Sequence, residues 1–226
     1  MKSIKGIVFD LDHTLFDRYA TFDALQDVFY EALKKYLSEN ITPRDICIAI
    51  KNGDKNHLYE GWDSLARYVF SLGYFKTPIT EKEFKAIILS CFHEAAVPYD
   101  FTIPTLEKLK KNGYKLGLIT NGKSELQRKK ISMLNLGNSF DEIIVSGEYG
   151  KNKPDTSIFH EMAQRLNIEE SKLFYVGDHP INDIDAASKA EYKTIWVKSN
   201  GKWVDGCISP TFEVENVSQI LKILNI

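Results

Sequence analysis

Cysteine is scarce, net charge is nearly absent, and no long apolar run occurs. The 226 residues include three cysteines, Cys47, Cys91 and Cys207, too far apart for a metal knuckle and odd in number for a disulfide framework. Formal net charge is -2, which removes the electrostatic case for a nucleic acid polymer or an acidic membrane surface as partner. No stretch approaches transmembrane length. The N-terminus lacks a basic-then-apolar leader, because Ile7-Val8-Phe9 already reads as structure, so a cytoplasmic location without membrane association is expected. Internal repeats and low-complexity segments are absent too. What remains is 43% hydrophobic and 27% charged, ordinary for a chain that buries a core, and its length suits one core domain carrying an insertion.

Five short apolar segments read as buried strands: residues 4–9, 115–119, 142–145, 173–176 and 194–197. Each is a near-continuous run and not an alternation, the pattern of parallel strands covered on both faces. Helical patterns lie between them. "PTLEKLKKNG" ends in Gly113, a C′ residue, and "SIFHEMAQRL" puts Ile158, Phe159, Met162, Ala163 and Leu166 on one face. The tail "VSQILKILNI" reads as a further amphipathic helix, and residues 198–206 as a surface loop. Strands alternating with helices predict an α/β, doubly wound parallel sheet.

Residues 19–93 differ, with no strand pattern and about four helices. "FDALQDVFYEALKKYL" and "YEGWDSLARYVFSLGY" have helical spacing. Thr42-Pro43 is an N-cap followed by proline, and Thr80 with Glu83 forms a capping box. The expected division is a core of residues 1–16 and 97–226 and an all-helical insertion of residues 17–96.

In an open parallel sheet, ligands bind at the carboxyl ends of the strands. There the sequence places Asp10, Asp12 and Thr14, then Thr120, Asn121 and Gly122, then Lys151, Lys153 and Pro154, then Gly177, Asp178 and Asp183. Clustered carboxylates need a cation, and oxygen donors without His or Cys point to a hard ion, Mg²⁺ above all. A lysine with Thr and Asn donors suits a phosphoryl group. An ionised Asp beside such an ion is a nucleophile able to form an aspartyl-phosphate, and a second Asp two residues on serves as acid and base. Each piece alone is ordinary. A D-x-D is usually a loop, T-N-G a turn, K-P a helix boundary, and Asp178 and Asp183 could cap the helix at residues 182–190 with help from Asn182. Their joint occurrence after successive strands carries the reading.

The four segments "DLDHT", "LITNG", "KNKPDTSIF" and "VGDHPINDI", at residues 10–14, 118–122, 151–159 and 176–184, resemble the motifs of the haloacid dehalogenase superfamily over essentially the whole chain. The resemblance implies a Rossmann-like core, with the helical insertion as a C1-type cap over the active site. It implies Asp10 as nucleophile and Asp12 as general acid/base whose main-chain carbonyl also ligates Mg²⁺. Thr120 and Asn121 are implied as phosphoryl contacts and Lys153 as the lysine holding nucleophile and phosphoryl charge, its neighbour Pro154 selecting it over Lys151. Asp178 is implied as metal ligand, and Asp183 as a second acid supporting the metal or Lys153. Members that cleave carbon–halogen bonds lack the second Asp, so Asp12 favours phosphate esters.

Family members often carry Gly where this chain has His13. A bulkier residue there, and the ending at residues 209–224, resemble the nucleotidase-like branch, and His13 itself reads as a structural or rim residue. The resemblance therefore implies an Mg²⁺-dependent phosphatase of a small phosphomonoester, with nucleoside 5′-monophosphates as a candidate class, acting as monomer or homodimer. Tyr19, Phe22, Phe29, Tyr30, Tyr59, Trp62, Tyr68 and Phe70 are candidates for stacking on a base, though aromatics at helical spacing more often form a helical domain's own core. Asp17 and Arg18, where the chain leaves the core, line an entrance or form a solvated hinge. Alternatives are a sugar-phosphate phosphatase, a phosphomutase, and a non-catalytic binder of phosphorylated ligands. A response-regulator receiver is disfavoured by length and by the insertion.

Overall fold

The computed structural model describes residues 4–58, 60–198 and 201–226, so Tyr59 and part of the 198–206 loop lie outside the described residues. The chain divides into two compact units, Met1–Asp17 with Pro98–Ile226, and Arg18–Val97.

Strand β1 (Gly6–Phe9) opens the first unit and is buried throughout. The helical unit follows with α1 (Arg18–Ala24), α2 (Gln26–Leu33), α3 (Pro43–Asn56), α4 (Trp62–Ser71) and α5 (Glu81–Phe92). The helix expected over residues 22–37 is two helices, interrupted at Leu25 and finished at Leu33. Tertiary packing overrides local propensity here. Phe22 is drawn into a ring cluster with Phe29, Trp62 and Phe92, and Leu37 pairs with Phe75 in an antiparallel bridge that no helix could make. Phe70, Phe75 and Phe84 form a second ring cluster. Phe22 and Phe29 are fully buried, so these candidate stacking residues are this unit's own core.

Arg18 is no solvated hinge. It donates to both oxygens of Asp54, at 2.7 Å from Nη2 to Oδ1, and lies over the Trp62 and Phe92 rings.

Both expected caps form. Thr42 Oγ1 accepts from Asp45 N at 3.2 Å and Asp45 returns a bond to Thr42 N at 2.9 Å, while Thr80 and Glu83 repeat the pattern. Thr80→Ala is expected to destabilise this unit by about 1 kcal/mol, read as a lowered urea midpoint.

The chain re-enters the first unit through α6 (Thr102–Lys111), whose exit uses Gly113 at φ 83°. Then come β2 (Lys115–Thr120), α7 (Ser124–Met133), β3 (Glu142–Val145), α8 (Ser146–Tyr149), α9 (Ser157–Leu166) and β4 (Leu173–Gly177). A π-helical turn, Pro180–Asp185, leads into α10 (Ala186–Lys189), and β5 (Lys193–Val197), β6 (Phe212–Val214) and α11 (Ile220–Leu224) complete the unit.

Among the described residues the six strands form one parallel sheet in the order β3-β2-β1-β4-β5-β6. Ile7 stands opposite Leu116 on one side and Phe174 on the other. This is the Rossmann-like, doubly wound order, and its direction reverses between β1 and β4, the position at which open sheets of this kind bind ligands beyond the strands' carboxyl ends. On α9, Ile158, Phe159, Met162, Ala163 and Leu166 all pack into a core with Val8, Ile119, Ile144 and Tyr175.

The sequence reading missed β6. It has only three residues, alternates Phe-Glu-Val and sits at the sheet edge, so it lacks the continuous apolar run of the central strands. The expected C-terminal helix is a short 3₁₀ turn followed by the five residues of α11. No described helix is long and apolar enough to cross a membrane.

Candidate active site

Strands β1, β2 and β4 deliver Asp10, Thr120 and Asp178 to the same edge of the sheet, and the loop after α8 returns Lys153 to it. Asp10, directly after Phe9, is anchored by its N–H to the carbonyl of Val176 at 2.8 Å. Asp10, Thr120, Lys153, Asp178 and Asp183 are all buried.

Lys153 is the hub. Its Nζ lies 2.6 Å from Asp10 Oδ1, 2.6 Å from Asp183 Oδ1, 2.8 Å from Tyr175 Oη and 3.2 Å from the Ile119 carbonyl. Lys151 instead points to Asp155 at 3.3 Å and is more than half exposed. Thr14 Oγ1 lies 3.4 Å from Asp10 Oδ2.

Asp183 is set by the π-helical turn. Its Oδ1 accepts from Tyr175 Oη and its Oδ2 from His179 N at 3.0 Å. His179, not Asp178 or Asp183, caps this turn, because its Nδ1 accepts from the N–H groups of Ile181 and Asn182. Gly177 makes room for Asp183, since a methyl there would sit 2.5 Å from Asp183 Cγ. Gly177→Ala is therefore expected to push Asp183 off Lys153 and destabilise the protein by about 1–3 kcal/mol, checked by urea unfolding.

Charge is unbalanced at this edge. Burial is the largest influence on Asp10; with repulsion from Asp183 and Asp12 it outweighs attraction to Lys153 and pushes the carboxyl up to about 7. Burial, then Asp183 and Asp10, holds Asp178 well above the usual carboxylate range. Burial works against the charge on Lys153, but Asp10 and Asp183 overcome it and raise its proton affinity. One ammonium thus faces three buried acids whose ligand oxygens lie within 4.8 Å of one another. An oxygen-only donor set with surplus negative charge fits a hard divalent cation such as Mg²⁺.

Asp12 is not part of that trio. Lys130 Nζ lies 2.7 and 3.0 Å from its two carboxylate oxygens, and Gln127 Nε2 donates to Oδ2 at 3.1 Å. Gln127 Nε2 also donates to Thr120 Oγ1. Both residues escaped the sequence reading. Both lie on α7, whose buried positions are Gln127, Lys130 and Ile131.

The Asn121 side-chain amide donates to the Lys153 carbonyl and accepts from Lys153 N, each at 2.9 Å, so it clamps the lysine's loop. His13 is buried with φ 62°, the left-handed conformation that glycine adopts freely.

A sheet of this order sets an acid after β1 beside two more after β4 at a topological switch point, with one lysine bridging Asp10 and Asp183. The sequence model for haloacid dehalogenase-like hydrolases matches residues 7–197, and the chain belongs to that family. Its relatives include the glyceraldehyde 3-phosphate phosphatase of Methanopyrus kandleri, 29% identical over 98% of this chain and 97% of that protein. The pyrimidine 5′-nucleotidase YjjG of Escherichia coli is 24% identical over 96% of each chain. Among solved structures, the HAD-hydrolase YfnB of Bacillus subtilis, bound to magnesium, superposes with a TM-score of 0.79 at 21% identity, covering 99% of both chains.

Proposed function

We propose that the chain is a divalent-cation-dependent phosphatase that hydrolyses a small phosphomonoester through an aspartyl-phosphate on Asp10. The observation that carries this reading is the Lys153 hub, which ties Asp10 to Asp183 beside Asp178 at the end of β1 and β4. Names of relatives support the ester class, since they include phosphatases of glyceraldehyde 3-phosphate, phosphoglycolate and pyrimidine nucleotides.

In this reading one carboxylate oxygen of Asp10 attacks phosphorus and the ester oxygen leaves. Asp12 gives that oxygen its proton, then takes a proton from water as the water attacks the phosphoryl group and frees Asp10. Lys153 and Thr120 hold the phosphoryl oxygens, and Asn121 keeps Lys153 in place. Mg²⁺ held by Asp10, Asp178 and the Asp12 main-chain carbonyl, with Asp183 beside them, would neutralise the crowded carboxylates and draw charge from the phosphoryl oxygens. The helical insertion belongs to the C1 cap class in this reading. The cytoplasmic assignment is supported by Cys47, Cys91 and Cys207, none of which is bridged.

The test is phosphate release from a panel of nucleoside 5′-monophosphates, glyceraldehyde 3-phosphate, phosphoglycolate and an aryl phosphate, with Mg²⁺ and with EDTA. Release with Mg²⁺ and its loss in EDTA are expected. Release that persists in EDTA would overturn the cation requirement, and no release from any ester by folded, Mg²⁺-loaded protein would overturn the phosphatase reading.

A further inference from the structure

Asp12 carries the proton steps of the proposed reaction, yet it stands just before a turn, bridged to Phe16, with its side chain about one quarter exposed. A general acid works only while its oxygen is aimed at the leaving group, and misplacement by about 1 Å costs on the order of 10²-fold. Something must fix this carboxylate, and the hydrogen bonds identify it. Lys130 contacts both Asp12 oxygens from a side chain only 3% exposed, and its Nζ is packed 5.0 Å above the Phe16 ring. Gln127, one turn earlier on α7 and also buried, joins Asp12 Oδ2 to the Thr120 hydroxyl through one amide nitrogen.

We propose that Lys130 and Gln127 are positioning residues, a buried brace on α7 that aims the Asp12 carboxylate and ties it to the phosphoryl-binding hydroxyl of Thr120. The burial supports this. A lysine taken almost wholly out of water is retained only where it is paired, and this one is paired with the carboxylate proposed to move protons. The inference rests on the phosphatase reading, because it assigns a consequence to aiming Asp12.

The leaving group gives the test. An alkoxide needs a proton as it departs, whereas a nitrophenolate departs without one. Lys130→Met and Gln127→Leu are compared with the parent in saturating Mg²⁺, using the best alkyl ester of the panel and p-nitrophenyl phosphate. For Lys130→Met, kcat/KM on the alkyl ester is expected to fall about 10²-fold, while kcat/KM on the aryl ester barely changes. The aryl kcat falls, because hydrolysis of phospho-Asp10 still needs Asp12 as base, so the aryl KM falls with it. Gln127→Leu should show the same split more weakly, and it carries the test should Lys130→Met fail to fold. Lys130→Arg, which keeps a cation able to reach both oxygens, should recover part of the alkyl activity.

An equal fall in kcat/KM on both esters, or no fall on either, would overturn the brace while leaving the phosphatase reading intact. A parent protein inactive on both esters would overturn both.

Discussion

Asp10→Asn is expected to lower phosphate release by roughly 10⁴-fold or more and yet leave the metal-free protein at least as stable as the parent. The two effects have separate causes. Activity is lost because an amide cannot attack phosphorus. Stability is kept because Asp10 is a costly ion in the absence of a cation: burial, with help from Asp183 and Asp12, lifts its carboxyl from 3.8 to about 7.

The sign follows from linkage. A carboxyl that binds its proton more tightly in the folded state loses stability as pH rises from 3.8 towards 7, and the loss is complete above that window. A neutral amide removes this penalty while its oxygen still accepts from Lys153. In EDTA at pH 8 the variant's urea midpoint should match or exceed the parent's. Adding Mg²⁺ should then raise the parent's midpoint more than the variant's, since a cation stabilises the state that binds it. A variant much less stable than the parent in EDTA would show that Asp10 holds the fold together instead of straining it.

Lys153→Met should behave in the opposite way. It is expected to abolish release and also to destabilise the protein by about 3–5 kcal/mol, because the carboxylates of Asp10 and Asp183 lose their shared ammonium inside a buried site. Tyr175 Oη and the Ile119 carbonyl lose a donor in the same step. Urea unfolding in EDTA measures the effect. In the double variant with Asp10→Asn the loss should be smaller than the sum of the single effects, since one of the two stranded acids is already gone. Additive losses would mean that Lys153 does not couple to Asp10.

Much of this site could be read from the chain because its key residues directly follow apolar strands. An acid placed straight after Ile7-Val8-Phe9 or after Leu173-Phe174-Tyr175-Val176-Gly177 must emerge at the sheet's carboxyl edge, and the topology then sets those ends side by side. The central strands were legible for the same reason: burial on both faces leaves a continuous apolar run.

What escaped depends on contacts remote in sequence. Lys130 and Gln127 lie more than a hundred residues from Asp12, and nothing local separates a buried lysine on α7 from the exposed lysines around it. Asn121 sits where a phosphoryl contact is expected, but its partner, the backbone of Lys153, is fixed only by the fold. The break at Leu25 has the same origin, since the demand on Phe22 comes from Trp62 and Phe92 on other helices.

The most direct test of Asp10 as nucleophile is a rapid acid quench during the first turnovers on an aryl phosphate in Mg²⁺. Borohydride reduction would follow, with mass spectrometry of the peptide that contains residues 10–14. An acyl phosphate at Asp10 would be reduced to the corresponding alcohol at that residue alone, and the signal would be absent in EDTA and in Asp10→Asn. An active enzyme that yields no reduced Asp10, or that carries the modification on another acid, would contradict phosphoryl transfer through this carboxylate.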